Sequence, residues 1–148
     1  MIYEVRTYTL KPGSVASFEE NFAAATPHRE KYSKLGSFWH TEIGPLNQVI
    51  HVWPYESVEE RNSIREVAGK DPNWPPKNDP DMYVSMNSEI FNPAPFMRPL
   101  GGDQALGSIY EMRSYTYQVG SINKVIDIWA DAVPAREELS PLAAAMCI

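Results

Sequence analysis

The sequence contains one segment twice. Residues 2–9 read Ile-Tyr-Glu-Val-Arg-Thr-Tyr-Thr and residues 109–116 read Ile-Tyr-Glu-Met-Arg-Ser-Tyr-Thr, so six of the eight positions are identical. The same offset also relates Gly13-Ser14 to Gly120-Ser121 and Arg29-Glu30 to Arg136-Glu137. This period is far longer than the few tens of residues of a solenoid repeat. The pattern therefore predicts a domain-sized duplication with one whole copy and an incomplete second copy.

Composition narrows the class of protein. The chain has 148 residues, of which 43% are hydrophobic, and a net charge of −6, as expected for a globular domain and not for a nucleic-acid-binding one. No apolar run is long enough for a membrane span. The N-terminal residues lack the pattern of a signal or transit peptide. With Cys147 as the only cysteine, we expect no intrachain disulfide and a cytoplasmic location.

The first copy is predicted to contain four strands and two helices. Strands are expected at 2–10, 37–43, 48–53 and 82–91, from their β-branched and aromatic content and the turn residues between them. A first helix is expected to begin after Ser14, kink at Pro27 and continue to about Leu35. Ser57 predicts the start of a second helix that reaches about Gly69.

This order of elements, β-α-β-β-α-β, predicts an α+β fold of the ferredoxin-like type with an antiparallel sheet. Both helices lie on one face of such a sheet, so the other face needs a second sheet to cover it. The predicted domain covers residues 1–92, and a linker rich in proline and glycine follows at 93–108. In residues 109–148 we expect only the strand (109–117) and the helix (121–140) of a second repeat.

Two longer motifs resemble a known family. They are Tyr-Glu-Val-Arg-Thr-Tyr-Thr-Leu-Lys-Pro-Gly at 3–13 and Thr-Glu-Ile-Gly-Pro-Leu-Asn-Gln at 41–48, the second followed by His-Val-Trp-Pro-Tyr at 51–55. In this order they resemble the NIPSNAP family over residues 1–92, and residues 109–140 resemble the opening of a second NIPSNAP domain. The resemblance implies a homodimeric α/β-barrel, in which two ferredoxin-like sheets face each other around a small cavity.

The resemblance leaves the biochemical role open, because the family has no firmly established common enzymatic activity. Our main hypothesis is a dimeric barrel whose small, partly polar cavity binds a small molecule. One alternative is a cofactor-independent enzyme, similar to a monooxygenase or an isomerase, that acts on a small organic substrate. Another alternative is a module for protein interaction only. None of these hypotheses requires a cofactor.

The candidate cavity residues follow from strand alternation. In the first strand the more apolar set (Tyr3, Val5 and Thr7) is assigned to the helices, which directs the other set toward the barrel. The same reasoning is applied to the other strands and to the second copy. The predicted cavity-lining residues are Glu4, Arg6, Tyr8, His40, Glu42, Val49, His51, Trp53, Glu111, Arg113 and Tyr115.

Four of these residues are candidates for chemistry. Arg6 would bind an anion, His51 would act as acid or base, Glu4 would orient one of them, and Tyr8 would form a wall. The structural alternative is that Glu4 and Arg6 are an ion pair that fixes the sheet register without catalysis. Arg61 and Arg65 are expected on an exposed face of mixed charge. The three histidines lack metal-ligand spacing, so no metal site is predicted.

Overall fold

The computed structural model of the chain describes residues 1–102, 104 and 106–148. These residues divide into two compact units, one formed by Met1–Phe91 with Ile148 and the other by Asn92–Cys147. The hydrogen-bonded order of the five antiparallel strands is β2-β3-β1-β4-β5. The architecture is therefore α+β, as predicted from the order of elements.

The sheet of the first unit has four strands. They are β1 (Ile2–Leu10), β2 (Ser37–His40), β3 (Gln48–Tyr55) and β4 (Tyr83–Pro93), whose last two residues belong to the second unit. β1 is central and pairs with both β3 and β4, so Arg6 lies between His51 on one side and Ser88 on the other. The pairing of β1 with β4 shifts between Thr9 and Leu10, where the strand ends.

Two helices pack on one face of this sheet. The first, α1 (Val15–Arg29), directs Phe18 and Phe22 into a core that also holds Val49 and Trp53 of β3. The second, α2 (Val58–Ala68), begins at Ser57, whose Oγ accepts a hydrogen bond from the Glu60 backbone at 3.2 Å. That bond satisfies one of the N–H groups that a helix leaves free in its first turn.

Element bounds differ from the prediction in several places, and β4 ends two residues later than predicted, at Pro93. α1 contains Pro27 and ends at Arg29, so the predicted continuation to Leu35 is wrong. β2 ends at His40, before the predicted residue 43, and β3 continues through Pro54 to Tyr55. A strand can continue through a proline when the missing N–H is not needed by the ladder. A turn of 3₁₀ helix at Pro80–Met82 leads into β4.

The second unit contains the helix α3 (Ile122–Glu137) and the short strand β5 (Met146–Cys147). β5 pairs with the last two residues of β4, Asn92 and Pro93, and Ala94 donates a backbone hydrogen bond to Ala145 at 2.8 Å. The helix predicted at 121–140 is thus present. The strand predicted at 109–117 is not formed: these residues have no regular secondary structure and are exposed.

None of the helices in the described ranges has the length and apolar character needed to cross a bilayer.

Candidate functional site

The polar residues of β1 point toward the helices, opposite to the predicted direction. Glu4 bonds to Arg61 of α2 and Tyr8 contacts Phe18 of α1, so both side chains lie between the sheet and the helices. His51 and Trp53 of β3 lie on the same side, since both rings contact Phe22. The assignment of Glu4, Arg6, Tyr8, Val49, His51 and Trp53 to the opposite face was therefore wrong.

The error has a physical cause. Strand alternation identifies the core face only when the other face is wet, yet the central strands here are buried on both faces. Val5, Ile50 and Val52, on the face away from the helices, are buried like the residues that face the helices. The apolar character of a residue therefore did not indicate which face of the sheet it lies on. The charged residues are accommodated on the helix side because they bind one another.

Glu4 is the centre of a buried ionic cluster. Its side chain is fully buried, and its Oε1 accepts from Arg6 Nη1 at 2.7 Å, Arg61 Nη2 at 2.6 Å and Ser88 Oγ at 2.7 Å. Arg65 Nη1 lies 3.6 Å from Oε2, which has no hydrogen-bond partner within the described residues. Three guanidinium groups from two elements thus converge on one carboxylate.

The cluster keeps Glu4 ionised. Burial alone would raise the pKa of this carboxyl, but hydrogen bonds from Arg61 and Ser88, the charge of Arg65 and a hydrogen bond from Arg6 lower it to about 2. A carboxylate with this pKa is an anion at every physiological pH. It is therefore a permanent acceptor and a poor candidate for proton transfer.

Arg61 and Arg65 were predicted on an exposed face of mixed charge; Arg65 is exposed, but Arg61 is mostly buried and both side chains interact with Glu4. Their spacing of four residues places both on the side of α2 that lies over the sheet, so they reach Glu4 together. Arg61 Nε is buried without a hydrogen-bond partner in the described part of the chain. Arg65 keeps two-fifths of its side chain exposed, so the cluster has an opening to solvent.

Arg29 adds a fourth cation from the end of α1. It is buried, donates to Tyr55 Oη at 2.8 Å and to Ser33 Oγ at 2.7 Å, and lies 4.5 Å from the centre of the Trp53 ring. Burial lowers the pKa of this guanidinium, and the nearby Arg65 charge acts in the same direction. In the described ranges its polar partners are hydroxyl groups, not carboxylates.

We call Glu4, Arg6, Arg29, Arg61 and Arg65 the arginine cluster. It contains four cations and one carboxylate, in a chain whose net charge is −6. A local excess of three positive charges within an acidic chain is costly unless anions or solvent neutralise it.

His51 lies beside the cluster as a neutral, buried imidazole. Burial and the charge of Arg6 lower its pKa to about 3. Trp53 Nε1 donates to its Nδ1 at 2.8 Å, and because indole can only donate, the proton of the neutral ring sits on Nε2. Nε2 is buried and lacks a hydrogen-bond partner within the described residues. His51 is thus a poor base near neutral pH and an available hydrogen-bond donor.

Aromatic rings surround His51 and the edge of the arginine cluster. Tyr8 lies 4.9 Å and Phe22 5.0 Å from the imidazole centre, both as ring-centre distances. Arg6 Nε donates to Tyr8 Oη at 2.7 Å. Trp74, from the loop after α2, contacts both Phe22 and Trp53. The site therefore combines cationic groups with apolar ring surfaces.

Two other predicted residues lie elsewhere, at the end of β2. His40 contacts Glu19 of α1 at 2.6 Å and Glu42 at 2.8 Å, and these two hydrogen bonds raise the pKa of its imidazole. All three side chains are substantially exposed. This group is a surface ion-pair network, separate from the residues that surround His51.

The predicted residues of the second copy are not part of the arginine cluster. Arg113 Nε donates to Glu111 Oε1 at 2.7 Å, and both side chains are exposed. The ring of Tyr115 lies 6.1 Å from that of Tyr117. No group of three potential metal-binding side chains occurs in residues 1–102, 104 and 106–148.

The structure thus brings Glu4, Arg6, Tyr8, His51 and Trp53 together on the helix side of the sheet, and adds four residues that sequence reasoning did not place there. They are Arg29, Arg61, Arg65 and Ser88. The pair on α2 could have been recognised from its spacing, since arginines four apart share one helix face. Arg29 and Ser88 carry no local signal, because only the tertiary fold brings them to Glu4 and Trp53.

The fold and the site define the class: a ferredoxin-like α+β domain with a buried, cation-rich cluster between sheet and helices. A family model described as NIPSNAP matches residues 3–98. The chain belongs to the NIPSNAP family.

Individual relatives agree with this assignment. The chain is 40% identical over 73 residues to a NipSnap homolog of Dictyostelium discoideum, covering 49% of this chain and 33% of that protein. It is 36% identical over 75 residues to human NipSnap homolog 3A, covering 50% of this chain and 30% of that protein. The chain thus spans about a third of the length of the curated relatives it matches.

Solved structures give the same result. A NIPSNAP-like domain protein from Burkholderia xenovorans is 34% identical with a TM-score of 0.60, covering 68% of this chain and 90% of that one. A NIPSNAP family protein of unknown function from Agrobacterium tumefaciens is 27% identical with a TM-score of 0.61, covering 68% of this chain and 94% of that one.

Proposed function

We propose that this domain binds a small organic anion at the arginine cluster. The observation that carries the proposal is the charge imbalance: three arginines converge on one carboxylate that is already ionised, and the charge of a fourth, Arg29, interacts with that of Arg65. A second anion would neutralise part of the excess and would receive charge-assisted hydrogen bonds from guanidinium groups. The neighbouring rings of Trp53, Trp74 and Phe22 favour a ligand with an apolar or aromatic part.

Unused hydrogen-bonding groups support this proposal. Arg61 Nε and His51 Nε2 are both buried without partners within the described residues. A buried donor that bonds to nothing costs free energy, and a ligand oxygen would recover it. Binding, and not acid–base catalysis, is favoured because the pKa of His51 is lowered to about 3.

The homodimer implied by the family resemblance is also part of our proposal. In that arrangement the face of the sheet opposite the helices meets the same face of a second copy. The anion site on the helix side does not depend on this dimer. Analytical ultracentrifugation over a concentration series tests the dimer separately, and a chain that stays monomeric throughout would reject it.

The binding proposal is tested with benzoate, with benzamide as its neutral analogue. In titrations followed by ¹H–¹⁵N NMR, benzoate should shift the side-chain Nε–H signals of Arg61 and Arg65 while benzamide does not. Arg65→Gln should weaken benzoate binding by about tenfold or more, because one cation in a partly desolvated site is lost.

The matched control is Arg113→Gln, which removes the same charge from an exposed pair in the second unit. It should leave benzoate affinity within about twofold of the original, as expected of an exposed charge that is screened by solvent and salt. Equal binding of benzoate and benzamide, or equal weakening by the two variants, would reject the proposed site. A parallel melting curve of each variant separates loss of binding from loss of folding.

A further inference from the structure

We propose that residues 109–117 of one copy add as a strand to the outer edge of β4 in a second copy. This segment, which we call the second-copy strand, is nearly identical in sequence to β1. It forms no strand among the described residues, although its Ile, Tyr, Met and Thr content favours one. The occupant and the surface are therefore both parts of this chain.

The second-copy strand is exposed in a way that is unfavourable for an isolated chain. Ile109 is 91% exposed and Met112 58%, and Tyr115 and Tyr117 are exposed as well. An exposed segment with strand-forming, apolar side chains of this kind is suited to pairing with another strand. Burial against a partner strand would remove this apolar surface from water.

The outer edge of β4 is the matching surface. Along residues 83–91, β4 pairs with β1 on one side, and the described residues include no strand on its other side. Val84 and Met86 on this stretch are 62% and 60% exposed. The stretch contains one charged residue, Glu89, and no proline. Long, sparsely charged edge strands of this kind accept additional strands.

Two observations indicate that this edge can pair with this segment. First, the outer edge of β4 already accepts a strand at its end, where Asn92 and Pro93 pair with β5. Second, β1, which is identical to residues 109–116 at six of eight positions, already pairs antiparallel with β4 at its inner edge. In β1, Arg6 Nη1 reaches Ser88 Oγ at 3.4 Å, and Arg113 holds the matching position in the second-copy strand.

Reciprocal addition would give a closed two-fold dimer. Each copy would donate one strand and accept one, so the contact would be made twice. This arrangement uses sheet edges and is distinct from the face-to-face barrel proposed above. The two forms of self-association can therefore be separated by a variant that affects edges only.

The test uses Ser114→Pro in the full chain, with Ser114→Ala as its matched control. Ser114 is exposed, and proline there removes a backbone donor and disrupts strand pairing. In sedimentation experiments, Ser114→Pro should weaken self-association by about tenfold or more, whereas Ser114→Ala stays within about twofold. Equal circular dichroism spectra at low concentration establish that both variants are folded.

Hydrogen exchange then identifies the surface. In the original chain, amides in 109–117 and in 83–91 should gain protection together as concentration rises, and Ser114→Pro should abolish both changes. Self-association that is unaffected by Ser114→Pro would overturn the proposal and leave the face-to-face dimer. Protection of 109–117 without protection of 83–91 would also overturn it, because residues 109–117 would then pair with the same residues of the other copy and not with β4.

Discussion

The two copies of the repeated segment have nearly the same sequence but different structures. In the first copy, residues 2–9 form the central strand of the sheet, where Glu4 is fully buried. In the second, residues 109–116 form no strand, and Glu111 is 67% exposed. Both copies nevertheless contain a Glu–Arg ion pair of 2.7 Å, made by Nη1 of Arg6 in the first and by Nε of Arg113 in the second. What differs is the set of neighbours.

The turn and the helix that follow the repeated strand are alike in both copies. Gly13 and Gly120 both have a φ of 83°, a conformation that favours glycine, and Ser14 and Ser121 differ by two degrees in each backbone angle. The helices α1 and α3 each contain a proline near the end. Hydrogen bonds inside a turn and a helix are local, so similar sequences reproduce them.

The strand is different because its hydrogen bonds come from other parts of the chain. β1 exists between β3 and β4, and the second-copy strand has no such neighbours among the described residues. The comparison shows that strand sequence alone does not make a strand.

Neutralising the glutamate of each copy should give the largest difference in stability between matched variants of the two copies. Glu4→Gln removes the buried carboxylate on which Arg6, Arg61 and Arg65 converge, so we expect the first unit to lose about 3–5 kcal/mol of unfolding free energy. Urea denaturation followed by tryptophan fluorescence measures this loss. Glu111→Gln, the same change in an exposed pair, should leave the denaturation midpoint unchanged.

A similar shift of the midpoint in both variants would contradict the comparison, because it would mean that position within the repeat determines the role of the residue, not its neighbours. A midpoint of Glu4→Gln equal to that of the original chain would show that the cluster tolerates loss of its anion.

The same contrast explains how much of the fold could be predicted. Local signals identified the helix that begins after Ser57 and the order of the elements in the first copy, because caps and turns act within a few residues. They failed at residues 109–117, where a strand-like pattern lacks a partner. They also failed for the direction of Glu4, since β1 is buried on both faces and alternation loses its meaning there.

The candidate site was predicted in part for a related reason. Strand alternation correctly grouped Glu4, Arg6 and Tyr8 on one face, and register then placed His51 beside Arg6. Arg29 lies at the end of a helix and contacts Trp53 only after α1 packs on the sheet. Contacts between elements that are distant in sequence leave no periodic pattern in the sequence, so the additional arginines of the site become evident only in the folded chain.

Acidification should lower the folding stability of the unit that contains the first copy. The folded-state pKa of His51 is lowered from 6.5 to about 3, so between these values the unfolded chain binds a proton that the folded chain does not. The contribution of His51 to stability therefore falls as pH decreases from 6.5. The expected loss is about 2–3 kcal/mol between pH 6.5 and 4.5, from urea denaturation at each pH. Glu4, lowered from 4.5 to about 2, adds a loss below pH 4.5.

His51→Gln identifies the source of this pH dependence. It keeps an acceptor for Trp53 Nε1 but cannot titrate, so it should flatten the profile between pH 6.5 and 4.5 while the loss below pH 4.5 remains. His28→Gln, at a half-buried position on α1, is the matched control and should retain the original profile. An unaltered profile in His51→Gln would show that His51 titrates in the folded state as it does in the unfolded one.

Exchanging the sequences of the two copies should have the smallest effect. The double substitution Val5→Met and Thr7→Ser gives β1 the sequence of residues 109–116. Both changes lie on the face away from the helices, so Glu4, Arg6 and Tyr8 on the helix side stay the same. We expect a loss of about 1 kcal/mol from urea denaturation, since methionine adapts its shape to a buried position.

The reciprocal variant, Met112→Val with Ser114→Thr, gives residues 109–116 the sequence of β1. At concentrations where the chain is monomeric, its amides should exchange as fast as before, because no partner strand has been added. Slow exchange there, or unfolding of the first variant, would show that these two side chains and not the neighbouring strands decide which copy forms a strand.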